Sequence, residues 1–589
     1  MFDATGCRWL ISSIALGLLL GGCNRSEPPP APPDEEPAAA AVETTAQSHA
    51  DETPPPAPRE ARPDDWFEDM TERSGVRFAY RNGAEARQYT ILETVGGGVA
   101  MIDYDNDDDL DLFFPGGGCI ASAPLEISGM SGKLYRNDGD WKFVDVTAEA
   151  GLAEAAGYTH GCAAADFDRD GFTDLFVSGY RCSRLYRNDG RGRFQDVTEK
   201  SGLSLEGWST AAAWADLDRD GWPELFVANY LDWRPADNKP CSEPDSRVRD
   251  VCAPQSYPGV SDQLFRNRQG AGFEEITDAA GIRRADKGLG VLAADVNEDG
   301  WIDFYIANDV IANRLYLGRG DLRFEEQATL SGTAASEFGA PEGSMGVDFG
   351  DYNGDGRGDL WVVNFEMEDN SLYRNDGNDS FTHASVLAGL GGRCRALVGF
   401  GTGFADFDSD GWLDLYVING HVYYHVGRSP YRQPAFLFRN LAGGSFADVS
   451  DSAGPYFSAP HAGRGAAVGD LDNDGAADLV VVHQNDPVVL LKNRRPSERW
   501  LRVKLQGETC DREAIGAKVT FEHDGRSLVR FVRSGAGYLS QSDLRILFPV
   551  SAADALEVGV VWPGGRREVF RRLSAGRTNV LAEGTGENP

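Results

Sequence analysis

Asp166-Phe167-Asp168-Arg169-Asp170-Gly171-Phe172-Thr173-Asp174-Leu175 is the stretch that decides how this chain is read. Oxygen side chains stand at positions 1, 3, 5 and 9 of a short loop. Glycine at position 6 permits a tight turn, and position 7 offers a backbone carbonyl. A hard cation such as Ca²⁺ needs that set of donors. Position 12, where an EF-hand places a bidentate Glu, is Val177 inside an apolar run. The loop therefore feeds a β-strand rather than a helix.

The loop returns seven times. Asp406, Asp408, Asp410 and Asp414 repeat every oxygen position, as do Asp470, Asp472, Asp474 and Asp478. Asp216, Asp218 and Asp220 are followed by Glu224, and the fourth copy carries Asp295, Asn297, Asp299 and Asp303. The fifth carries Asp351, Asn353, Asp355 and Asp359. The first copy (Asp103, Asp105, Asp107, Asp111) has Asp108 where glycine is expected, so its turn should be strained or altered. A single match is equally well a solvated Asx turn. Seven in register are better read as metal loops, holding up to about seven Ca²⁺ ions.

Between the loops the chain repeats itself with a drifting period, the signature of a repeat fold. Each unit reads as four strands. Gly161-Cys162-Ala163-Ala164-Ala165 enters the loop, Leu175-Phe176-Val177-Ser178 leaves it, Leu185-Tyr186-Arg187-Asn188 follows, and Phe194-Gln195-Asp196-Val197-Thr198 closes the unit. The Leu-aromatic-Arg-Asn element recurs at Leu134, Leu264, Leu372 and Leu437, and more loosely at Leu315 and Leu490. The closing element is degenerate at Phe324 and Phe381 and missing after the seventh loop, yet Phe67-Glu68-Asp69-Met70-Thr71 precedes the first. The expected fold is therefore an all-β, seven-bladed β-propeller over residues 64–497, its last blade closed by an N-terminal strand. From about Ser497 the pattern changes, and residues 498–585 read as a small all-β domain with a short tail at 586–589.

The N-terminus carries Arg8, an apolar stretch from Trp9 to Leu20 and then Leu20-Gly21-Gly22-Cys23. That order is a secretory signal (residues 1–22) ending in a lipobox, with Cys23 the acylated residue. Residues 23–63, rich in Pro, Ala and Glu, form a semi-extended tether. The expected location is exported and lipid-anchored, at the outer membrane or cell surface, with membrane contact only through the lipid.

Net charge is −36. The loops supply about 29 carboxylates, of which seven Ca²⁺ would offset about fourteen charges. So acidic a chain is not a nucleic-acid binder. Cys241 and Cys252 lie in one long loop and are the best disulfide candidates for an exported protein. Cys119 and Cys182 occupy equivalent positions in adjacent units. No G-x-S-x-G, H-E-x-x-H or Walker pattern occurs, and His421-Val422-Tyr423-Tyr424-His425 lies in a loop. Nothing here demands an enzyme. A surface offering Trp208, Trp222 and Trp412 would favour macromolecular binding.

The loops with their flanking Gly and Leu residues resemble the FG-GAP/VCBS repeats of the integrin α-chain propeller. The last residues resemble the ASPIC/UnbV domain through Trp500-Leu501-Arg502-Val503, Ala514-Ile515-Gly516-Ala517-Lys518-Val519, Ser534-Gly535-Ala536-Gly537-Tyr538-Leu539-Ser540-Gln541-Ser542 and Trp562-Pro563-Gly564-Gly565. Phe548-Pro549-Val550 departs from that domain's Phe-Gly-Leu-Gly. Repeats followed by this domain are similar to the cartilage acidic protein 1-like family. Asn419-Gly420-His421 and Tyr431-Arg432-Gln433-Pro434 match the pattern of its bacterial members. The resemblance implies calcium binding and extracellular interaction and no established reaction. The sequence thus points to a calcium-binding interaction or adhesion module for a protein or polysaccharide. A carbohydrate-active enzyme or an envelope assembly scaffold on the same fold are the alternatives.

Overall fold

In the computed structural model the second repeat becomes one antiparallel sheet of Thr159–Ala165, Asp174–Gly179, Arg184–Asn188 and Phe194–Asp196, paired in that order. The structure describes residues 58–122, 124–242, 247–282, 284–425, 429–551 and 554–589. Residues 1–57, with the expected signal, Cys23 and most of the tether, lie outside them. Among the described residues seven such four-stranded sheets follow one another, and the fold is all-β of the propeller type. In every sheet the ninth loop residue opens the second strand, as in Asp111–Phe114, Glu224–Asn229 and Asp478–His483. The degenerate elements at Phe324 and Phe381 still form fourth strands, Phe324–Glu326 and Ser380–His383. In the seventh sheet the fourth place is taken by Phe67–Asp69, antiparallel to Val489–Asn493 with Phe67 opposite Asn493.

The first strands are rich in Gly and Ala because neighbouring sheets approach closely there. A Cβ on Gly161 would stand 2.7 Å from the Thr210 carbonyl of the third sheet. One on Gly465 would stand 2.6 Å from Gly98 Cα, just before the first sheet. Farther out, buried aliphatic and aromatic side chains fill the gaps between sheets, as Leu185, Trp214, Leu225 and Phe265 do between the second and third. Such burial is the main source of cohesion in a fold without long helices. Among the described residues no helix is long and apolar enough to cross a membrane.

The asparagine of the Leu-aromatic-Arg-Asn element, read from sequence only as part of a strand, joins the sheets. Asn188 Nδ2 donates to the Tyr104 carbonyl of the previous loop at 2.7 Å. Asn267, Asn375, Asn440 and Asn493 do likewise to Phe167, Val296, Tyr352 and Phe407. Asn137 of the first sheet reaches Leu471 of the seventh loop at 2.8 Å. The fourth sheet has Gly318 at this place and lacks the bond.

The C-terminal residues form a three-stranded sheet (Ile546–Pro549, Trp500–Gln506, Thr578–Ala582) and a four-stranded one (Arg526–Phe531, Lys518–His523, Glu557–Val561, Arg567–Arg571). The anticipated tail is partly built in, since Glu587 exchanges two backbone hydrogen bonds with Val569. At the other end, the tether's last residues are seated. Arg59 pairs with Asp65 and donates to the Asp451 carbonyl.

Residues 534–542 leave the C-terminal domain and meet the first strand of all seven sheets. Met101, Cys162, Ala293 and Val347 donate backbone N–H groups to the carbonyls of Gln541, Leu539, Ser534 and Gly537. Trp214 and Val468 donate theirs to the hydroxyls of Ser534 and Ser542. The Tyr538 ring packs edge-on against Phe400 of the sixth sheet at 5.1 Å.

The intersheet role of asparagine is testable. Asn493→Ala removes the donors to the Phe407 and Ala477 carbonyls and leaves two buried acceptors. It should cost about 2–4 kcal/mol in denaturant unfolding. An exposed Asn588→Ala should cost less than 0.5 kcal/mol or so; equal costs for the two would contradict the assignment.

Candidate metal centre

Each loop is wound by its own carboxylates. The first aspartate accepts the N–H of position 5 in all seven copies, for example Asp170 N to Asp166 Oδ1 at 3.0 Å. Its second oxygen accepts the glycine N–H of position 6 in six copies, as Gly171 N does at 2.8 Å. Position 5 accepts the N–H of position 7, as Asp170 does from Phe172 at 3.1 Å. These bonds need a left-handed residue at position 6, where φ is 95° at Gly171 and 88° at Gly475. Asp108, expected to strain or alter the first turn, adopts φ 73° and so keeps the turn in a region costly for a side-chain-bearing residue. The Arg545 guanidinium of the C-terminal domain donates to its carbonyl at 2.7 Å.

The ninth residue is the deepest part of the loop. Asp111, Asp174, Glu224, Asp303, Asp359, Asp414 and Asp478 are all fully buried. One oxygen accepts the N–H of loop position 2 and the other the N–H of the third-strand Asn or Gly. Asp174 does so to Phe167 at 3.1 Å and to Asn188 at 2.7 Å. Burial drives these carboxyls well above the usual range, Asp111 to about 9.

Position 3 is different. In the first, second, third, sixth and seventh loops one oxygen of Asp105, Asp168, Asp218, Asp408 and Asp472 is buried with no hydrogen-bond partner. An orphaned carboxylate oxygen is costly unless something positive meets it. Five orphans at one loop position fit a hard cation, which would draw its ligands from positions 1, 3, 5 and 9. The carboxylates gather accordingly, with Asp166, Asp168 and Asp174 offering oxygens within 4.8 Å of one another, as do Asp216, Asp218 and Glu224. In the fourth and fifth loops Asn297 and Asn353 instead turn their amides to Asp299 and Asp355. Those two are the weaker candidates.

The loops are also ringed by cations that sequence reading did not identify. Third-strand side chains lie over them: Arg187 on Asp168 and Asp170, Arg266 on Asp218, Arg439 on Asp408, and Lys492 on Asp472 and Asp474. The C-terminal domain brings a second set to the first aspartates. Arg502 pairs with Asp470, Lys504 with Asp103 at 3.6 Å, Arg512 with Asp166 at 3.5 Å and Arg530 with Asp406 at 3.9 Å. The acidic loop face is thus covered by a basic one.

That cover changes the reading of the tryptophans. Trp208 is buried and donates Nε1–H to His160 Nε2 at 3.0 Å. Trp412 lies half-buried beneath Arg526 of the C-terminal domain, 4.7 Å from guanidinium to ring, and Trp222 lies 6.0 Å from Arg169. None belongs to an open aromatic face. His421 is fully buried, its Nδ1 accepting the Tyr423 N–H at 2.9 Å and its Nε2 standing 3.6 Å from Glu366. His425 is held instead by its backbone N–H on Asp250. Cys241 and Cys252 form a disulfide, and Cys119 and Cys182 are free thiols.

Burial pushes the first aspartates up as well, Asp166, Asp216, Asp295 and Asp406 to about 7. In the unfolded chain an aspartate titrates near 4, so the metal-free folded form holds more protons between those values. Metal-free protein should accordingly lose stability as pH rises from about 4 to about 7. Added calcium, which requires ionised ligands, should raise the melting temperature most above that range. Thermal unfolding in chelator and in calcium between pH 5 and 8 checks this. A chelated protein most stable at pH 8 would contradict it.

Residues 507–588 match the ASPIC and UnbV family, and residues 120–177, 174–227, 295–362 and 351–417 match the FG-GAP-like repeat. Human cartilage acidic protein 1 is 25% identical over 327 residues, covering 53% of this chain and 46% of that protein. The mouse protein is 24% identical over 400 residues, covering 56% and 60%. The chain spans about half the length of the curated relatives it matches. Among solved structures, an Agrocybe aegerita lectin recognising non-reducing terminal N-acetylglucosamine is 14% identical with a TM-score of 0.36, over 66% of this chain and 86% of its own. Rhamnogalacturonan lyase YesW is 12% identical with a TM-score of 0.33, over 68% and 72%. Likenesses this distant carry no argument about activity. The repeats and the terminal domain fix its relationships instead: the chain is a protein of FG-GAP-like repeats followed by an ASPIC and UnbV domain, and it is similar to cartilage acidic protein 1.

Proposed function

We propose that the chain is an exported, calcium-stabilised interaction module. In this reading a seven-bladed propeller, closed by Phe67–Asp69, presents one face to a protein or polysaccharide partner. The carrying observation is the orphaned position-3 oxygen repeated in five loops. Closure is supported by the pairing of Phe67–Asp69 with Val489–Asn493 and by the Asn137 bond to Leu471. The Cys241–Cys252 disulfide supports export to an oxidising compartment. A lipid on Cys23 completes the reading, with the residues after it as tether.

The free face follows from the covered one. The C-terminal domain occupies the loop end of the sheets. The opposite end carries the long connections between second and third strands, including the hairpin Gly118–Ser122/Leu125–Gly129 and the disulfide-bridged insert. Long connections on a rigid scaffold are where recognition usually resides. A carbohydrate-active enzyme is the second reading, favoured by Asp309 and Glu368 sharing one pocket at that end.

Glycan-array and protein-capture screens with the full chain, in calcium and in chelator, test the proposal. The expected result is a partner bound in calcium and lost in chelator, with no product formed from it. Equal binding in both would remove calcium from the function, and turnover of a captured polysaccharide would establish the second reading instead. Calcium itself should stabilise by about 2.7 kcal/mol per occupied site at a hundred times Kd.

A further inference from the structure

We propose that the pocket between the second-to-third-strand connections of sheets three to six binds an alkylammonium group. The proposal goes beyond the interaction-module reading and does not rest on it. The pocket is a cavity of about 150 Å³ at the end of the sheets opposite the acidic loops, reached from the axis by Tyr538. Asp309, following the second strand of the fourth sheet, and Glu368, in the corresponding connection of the fifth, both line it. Both are half-exposed. They converge on Gly343, where a Cβ would stand 3.2 Å from Asp309 Oδ1 and 3.7 Å from Glu368 Oε2.

One oxygen of each carboxylate is fixed by the protein. The Tyr230 hydroxyl donates to Asp309 Oδ2 at 2.5 Å. The backbone N–H groups of Gly343 and Phe365 donate to Glu368 Oε2 at 2.8 and 3.3 Å. Asp309 Oδ1 and Glu368 Oε1 remain for a ligand. Among the described residues one cation meets these two groups, since Lys287 attracts Asp309 while its Nζ donates to the Pro254 carbonyl at 2.9 Å. The remaining walls are largely apolar and aromatic, with the rings of Tyr230, Phe365, Tyr423 and Tyr538 among them.

The chemistry selects the ligand. Calcium takes six to eight oxygens, and two free carboxylate oxygens among aromatic rings do not supply them. A neutral sugar would stack on the rings but leave the carboxylate charge unmatched. An ammonium group can donate to both carboxylates and lie against aromatic faces, with its alkyl stem on the apolar wall. The same group is offered by a free amine and by a lysine side chain of another protein.

Calorimetric titration of the full chain in calcium decides the matter, with n-butylammonium, an N-acetylated, C-amidated Gly-Lys-Gly peptide and N-acetylglucosamine as probes. The expected result is saturable binding of a cationic probe and at least a tenfold loss of affinity in the D309N/E368Q variant. The calcium-dependent melting temperature of that variant should match the parent, which keeps a failure here distinct from a failure of the calcium reading. Tighter binding of the peptide identifies a protein lysine as the source, and tighter binding of butylammonium a free amine. No saturation by either cation, undiminished binding in the variant, or preference for N-acetylglucosamine overturns the proposal. Should the double variant fail to fold, D309N alone carries the same comparison.

Discussion

The rest of the structure depends on the carboxylate buried at the head of each second strand. Its two oxygens reach in opposite directions, one to the start of the acidic loop and one to the third-strand backbone, so loop and sheet share one anchor. The asparagine whose N–H meets that carboxylate extends its side chain to the loop of the preceding sheet. Strand pairing, loop winding and intersheet contact are therefore consecutive bonds in one network. Within such a network the members support each other by more than their pairwise worth. A cation at the loop would compensate a charge that burial otherwise disfavours, and would then be part of the architecture.

Charge balance follows from the same constraint. A net charge of −36 would oppose compaction if it were left in the loops. The third-strand Arg and Lys residues meet part of it within each sheet. The C-terminal domain meets more through Arg502, Lys504, Arg512 and Arg530. Only Arg502 with Asp470 is fully buried on both sides, and removing either partner would strand a charge. The half-exposed pairs contribute little each. Their value is collective, fixing which face the domain covers.

The sequence made the loops, the four-strand units and the start of the terminal domain legible because each is encoded within about ten neighbouring residues. The disulfide was legible for the same reason. What joins distant segments was not. Arg502 and Asp470 are separated by thirty-two positions, but Asp348 and Arg533 by 185, and no local pattern marks them as partners. Trp208 was a candidate for an exposed binding face, whereas its ring packs in a buried group with His160, Tyr230 and Trp233. Asp108 was expected to strain or alter its turn; it takes the strained course, holding the left-handed conformation between the bonds made by the Asp107 and Asp109 N–H groups. Ser534–Ser542 reads in the sequence as a family signature alone, whereas in the fold it touches the first strand of every one of the seven sheets.

That segment connects the two ends of the molecule. On one side it leads into the domain that covers the acidic loops; on the other, Tyr538 lines the pocket of Asp309 and Glu368 and donates to the Val95 carbonyl at 2.9 Å. A signal could pass along it only if it had two stable positions. Bonds to the first strands of six sheets, and the fully buried Tyr538 ring against Phe400 of the remaining one, fasten it along its length. The segment is better understood as a pin, holding the first strands at fixed spacing so that the pocket keeps its shape. Pre-formed geometry of that kind lowers the ordering cost of binding, which is what a site built from connections of four different sheets requires.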